Sequence, residues 1–137
     1  MKRVTGIGGI SFKAKNPKDL SDWYRNHFYI HQMHDGSAIF EWRSYNDPDK
    51  TGHTMWATFP EASKYFIKSD ASFMINYRVD DLYQLIQDLE LEGISIYSGP
   101  VKTEHGLFAW LLDPEGNPVE LWEPPEIEHE DEANKMD

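Results

Sequence analysis

Apolar and polar residues alternate over positions 4–14, where Ile10, Phe12 and Ala14 fall on one side, and this period of two predicts a strand. Asn16-Pro17 then supplies a helix cap and a proline at the first helical position. Leu20, Trp23, Tyr24, His27 and Phe28 recur at helical spacing, so they are expected to form the buried face of that helix. Residues 38–43 and 54–59 read as two more strands around a polar loop, 44–52, that contains Asn46-Asp47-Pro48. The order then repeats. Residues 73–79 predict a strand, Asp80 or Asp81 a cap, and Leu82, Leu85, Ile86 and Leu89 the apolar stripe of a helix that Gly93 ends. Strands over 94–101, 107–112 and 119–123 follow, so each half is expected to run β-α-β-β-β, with the second strand of the first half the weakest pattern.

Spacing tests the repeat. The two helix starts, Asn16 and Asp81, define a period of 65 residues, whereas Gly52-His53-Thr54-Met55-Trp56 superposes on Gly116-Asn117-Pro118-Val119-Glu120 at an offset of 64. Two halves with one helix each cannot cover both faces of a short sheet alone, so they are expected to pack side by side in an α+β domain.

The most specific segment is Asp113-Pro114-Glu115-Gly116-Asn117. Pro114 presets its φ, Asp113 can bond its own backbone, and Gly116 and Asn117 suit a positive φ, which together predict a hairpin turn. In the strand behind it, Glu120 lies between Val119 and Leu121, on the opposite face from both, and Trp122 shares its parity.

Composition narrows the function classes. The 137 residues make one domain by length, taken as 1–125, with modules at about 4–60 and 72–124. Residues 126–137 hold six acids and one lysine and read as an acidic, disordered tail. The net charge of -11 opposes nucleic-acid binding, and no apolar run is long enough to span a membrane. Cysteine is absent, which removes disulfides and thiolate chemistry, and a cytoplasmic location is expected.

The turn and its Glu120 strand, together with Ile7-Gly8-Gly9-Ile10, Trp23-Tyr24 and Val79-Asp80-Asp81-Leu82, resemble the vicinal oxygen chelate superfamily over about residues 4–124. That group includes glyoxalases, bleomycin-resistance proteins and extradiol dioxygenases. The resemblance implies two βαβββ modules whose paired, mixed sheet encloses a cavity, and a homodimer. It also implies four metal-ligand positions on the first and last strands of each module. Here they fall on Gly9, Met74 (Phe73 or Ile75 if the register slips), Trp56 and Glu120. Only Glu120 offers a metal-binding oxygen, so no cofactor is expected.

The expected function is therefore binding of a small, partly aromatic molecule between the modules without the family metal. Gly9, Trp56, Met74, Trp110, Glu120 and Trp122 are the candidate ligand contacts. The alternative is a lyase, isomerase or dioxygenase-type enzyme of the same group. Glu120 would then be a base, with His105 as an acid or base, or Glu120 would hold a divalent ion with help from His105 or His53. For each tryptophan, core packing competes with a ligand role, and for Glu120 a structural hydrogen-bonding role does. His27, His31 and His34 have spacings of four and three but no acid at ligand spacing. Gly6-Ile7-Gly8-Gly9 precedes a strand rather than a helix, so it is not a phosphate loop. A scaffold role using the tail is the third class.

Overall fold

The computed structural model describes residues 3–67 and 69–126. Among them one mixed sheet holds seven strands: β1 (Val4–Ala14), β2 (Ala38–Arg43), β3 (Thr51–Pro60), β4 (Phe73–Val79), β5 (Ser98–Thr103), β6 (Gly106–Leu112) and β7 (Pro118–Glu123). Two α-helices cross it, α1 (Pro17–Phe28) and α2 (Leu82–Leu91), and a 3-10 turn lies at Lys64–Phe66. Strand order is β2-β3-β1-β4-β7-β6-β5. The first strand of each half runs parallel to the last of its own half, and β1 meets β4 antiparallel, joining the halves. The second half has the four strands expected of it. The first has three, because residues 29–37 form no strand.

Local chemistry explains the helix starts. The Asn16 side chain accepts from the Asp19 amide at 3.1 Å, and Asp81, rather than Asp80, does the same for Gln84 at 3.1 Å. The α2 stripe packs as predicted: Leu82, Leu85 and Ile86 are buried against Val79, Leu107, Ala109 and Leu121. The α1 face differs from the expectation. Ser21 is its buried residue, while Trp23, His27 and Phe28 are exposed. These three rings lie on one another instead, with Trp23 5.0 Å from His27 and 5.3 Å from Phe28. Helical period locates a stripe of large residues, but it does not decide whether the sheet or the neighbouring turns of the helix cover them.

The Asp113 turn is built as its residues require. Asp113 Oδ1 accepts from the amides of Glu115 and Asn117, both at 2.9 Å, and its carboxyl is held below the usual range chiefly by the Asn117 side chain. Gly116 takes φ +83, whereas Asn117 serves through hydrogen bonds rather than a positive φ. Ser69 Oγ donates to the Gly116 carbonyl at 2.8 Å, tying the loop after β3 to this turn. Strand β3 begins at Thr51, earlier than expected, because Thr51 pairs with Arg43. Strand β5 begins at Ser98, later than expected. The acidic tail beyond Glu126 lies outside the described residues.

Candidate functional site

The strand register places the site. Gly9 is opposite Met55 on the parallel pair β1–β3, Asn76 is opposite Glu120 on β4–β7, and Gly9 is opposite Asn76 where the halves meet. The two halves therefore correspond through Gly9 with Asn76 and Met55 with Glu120. This corrects two carried-over positions: Met55 replaces Trp56, and Asn76 replaces Met74. The helix-start period of 65 was the correct one for the last strands. An offset of 64 is one residue short, and one residue on a strand is the other face.

Trp56 accordingly faces α1, with its ring 5.3 Å from Phe12 and 5.2 Å from Tyr24. Met74 is fully buried and does not line the cavity. His53 does, as its parity opposite to Trp56 requires.

The cavity lies on the sheet face away from the helices and encloses about 290 Å³. Apolar and aromatic walls come from Met33, Ile39, Met55, Ala57, Phe59, Phe108 and Trp122. Gly8, Gly9, Ser11, His53 and His105 also border it. Trp122 stacks parallel to Phe108, which stacks in turn on Trp110. The other neighbour of Trp122 is Arg78, whose guanidinium is 5.1 Å from the Trp122 ring and 5.6 Å from that of Trp42. Gly8 is the extra residue of a bulge in β1, and a side chain there would run into Asn76 Oδ1 and the Trp122 ring.

At the polar end Glu120 is buried, only 3% exposed. Its Oε1 accepts from Asn76 Nδ2 at 2.5 Å, and its Oε2 from Tyr65 Oη at 2.5 Å and Trp110 Nε1 at 2.8 Å. Burial raises the Glu120 pKa above the ordinary carboxylate value, and the three donors only partly offset that. The Tyr65 phenol is also pushed up, first by burial and then by the Glu120 charge. Asn76 and Tyr65 were not singled out in the sequence. Asn76 has a signal there, since it shares the parity of Met74 on a strand already recognised. Tyr65 has none, because it lies in the loop after β3 and reaches Glu120 only through the fold.

The other candidates separate. Trp110 serves as a donor to Glu120 and is not a wall residue. The His105 carbonyl accepts from Trp122 Nε1 at 2.7 Å, which holds that loop to the cavity rim, while its imidazole is half-exposed near Glu104. His27, His31 and His34 are all exposed.

A divalent ion does not fit this residue set. The four corresponding positions are Gly9, Met55, Asn76 and Glu120, and three hydrogen bonds already occupy the single carboxylate. Among the described residues no group of three or more His, Asp or Glu is placed to hold a metal.

Solved structures share the fold at low identity. A Streptomyces coelicolor methylmalonyl-CoA epimerase variant in complex with 2-nitronate-propionyl-CoA aligns at TM-score 0.66 and 18% identity, covering 91% of this chain and 98% of that one. The methylmalonyl-CoA epimerase of Mycobacterium tuberculosis aligns at 0.58 and 18%, covering 91% of each chain. A structure described as an NAD-dependent benzaldehyde dehydrogenase from Legionella pneumophila aligns at 0.56 and 15%, covering 85% of this chain and 98% of that one. No curated protein sequence matches the chain. A sequence profile of the glyoxalase/bleomycin resistance protein/dioxygenase superfamily matches residues 6–121. With that match spanning most of its length, and a sheet built from two joined halves, the chain belongs to the glyoxalase/bleomycin resistance protein/dioxygenase superfamily.

Proposed function

We propose that the protein binds a small, partly aromatic molecule in the cavity beside Glu120 without a metal ion, and that Glu120 is a fixed polar anchor rather than a base. One observation carries this reading. The carboxylate that a proton-abstracting or metal-dependent relative would need is already engaged by Tyr65, Asn76 and Trp110. Each of these donors stabilises the ionised form and makes the oxygens less available to an incoming carbon acid. The surrounding walls are apolar and aromatic, and the volume is near the lower end of ligand cavities, about 300–1,000 Å³.

Metal-free catalysis is the second reading. It is favoured by the raised Glu120 pKa, which suits a general base, and by the epimerase neighbours. A single set of measurements separates the two. Native mass spectrometry with elemental analysis of the purified protein reports metal, retained small molecule and the homodimer implied by the family resemblance. Binding without turnover, with no stoichiometric divalent metal, is the expected result. Turnover that Glu120→Gln abolishes while the variant still folds and binds would transfer the assignment to the enzyme reading.

A further inference from the structure

The donors at the polar end of the cavity are nearly all committed, and what remains is acceptors. The one phenolic hydrogen of Tyr65 goes to Glu120, so both lone pairs of its oxygen are left to accept. The indole N–H of Trp110 is used the same way. Asn76 gives one amide hydrogen to Glu120, which fixes the orientation of the amide, because the reverse would set an oxygen against a carboxylate. Its Oδ1 is then the buried side-chain polar atom that lacks a partner among the described residues, and it too is an acceptor. Glu120 itself accepts three hydrogen bonds out of about four lone-pair positions.

Charge points the same way. Neutral groups supply these three bonds to Glu120, and among the described residues no cation is paired with it. Three polar side chains near the cavity have neighbours of their own. His53 is 3.9 Å from Glu41, His105 is 3.5 Å from Glu104, and Arg78 is held between the Trp42 and Trp122 rings. The rings of Phe59, Phe108 and Trp122 along the walls suit an aromatic body on the occupant.

We propose that the occupant is a small aromatic cation, an ammonium, amidinium or protonated heterocycle, that presents N–H groups to the acceptors of Tyr65, Asn76 and Glu120. This rests on the binding reading above and adds the chemical class of the ligand.

The test is calorimetric titration at neutral pH of three probes that share one ring system: the naphthylmethylammonium ion, naphthylmethanol and naphthoate. The expected order is ammonium, then alcohol, then carboxylate, with about tenfold or more between the first and the last, as a charged hydrogen bond implies. In Glu120→Gln the preference for the ammonium over the alcohol falls to about one. Naphthoate binding as tightly as the ammonium ion, or a preference unchanged in Glu120→Gln, overturns the inference and leaves the cavity reading standing. If none of the three binds, the cavity reading fails and the inference falls with it. The wild-type order decides the matter even if Glu120→Gln does not fold.

Discussion

Asn76 and Glu120 are register partners on the parallel strands β4 and β7, and Asn76 Nδ2 donates to Glu120 Oε1 at 2.5 Å. Pairing on adjacent strands sets the spacing, and matching parity brings both side chains to the cavity face. The pair ties the last strand of the second half to the strand that joins the halves. Asn76→Ala removes this donor from a buried charge, so a loss of about 1–3 kcal/mol is expected. Urea unfolding reads it as a lower midpoint with an unchanged slope.

Glu120 also gives stability a defined pH dependence. Its folded pKa is raised from 4.5, so the folded protein holds a proton there more readily than the unfolded chain. Its contribution is therefore fully present below 4.5 and is lost as pH rises through the folded value. Subtracting the stability of Glu120→Gln from that of the wild type cancels the other titrating groups. The difference should fall as pH is raised from 4 toward neutrality, about where an ordinary carboxyl ionises. A difference that grows over that range would refute the raised pKa.

Gly8 tests the close approach of β1 to the site. A methyl group there meets Asn76 Oδ1 and the Trp122 ring, both part of the site and neither able to retreat far. Gly8→Ala is expected to cost about 1–3 kcal/mol, as overpacking does, and to weaken binding of the aromatic ammonium probe. Gly93→Ala is the contrast: a methyl there meets nothing, so only the backbone strain of φ +84 is felt and probe binding is unchanged.

Two tryptophans should behave oppositely. Trp56 packs on Phe12 and Tyr24 beneath α1, whereas Trp122 forms a wall of the cavity. Trp56→Leu is expected to lower stability by about 1–3 kcal/mol and leave probe affinity intact. Trp122→Leu should remove most of the probe-induced change in tryptophan fluorescence and weaken binding. The reverse pattern would place the ligand on the helix side.

The hairpin turn has its own signature. Asp113 is half-buried, and its carboxyl is held below the ordinary value by Asn117 and nearby amides. Its stabilising effect is present above the unfolded value of 3.8 and is lost as pH falls through the lower folded one. Asp113→Ala should therefore unfold earlier than the wild type at neutral pH, with the gap closing in acid.

The α+β class, both helices and their caps, the Asp113 turn and the internal repeat are all legible in the residues alone. Each rests on chemistry within a few residues: side-chain parity, a cap three positions from its amide, a turn that needs Gly116. Parity also puts Glu120 on the face opposite Val119 and Leu121. Which residues meet Glu120 emerges only once the chain is folded. Tyr65 comes from a loop with no periodicity, 55 positions away along the chain, and Asn76 from 44 positions away. The one-residue error that chose Trp56 over Met55 has the same origin. Register between distant strands is set by hydrogen bonds across the sheet and by the bulge at Gly8, and neither is written in local sequence.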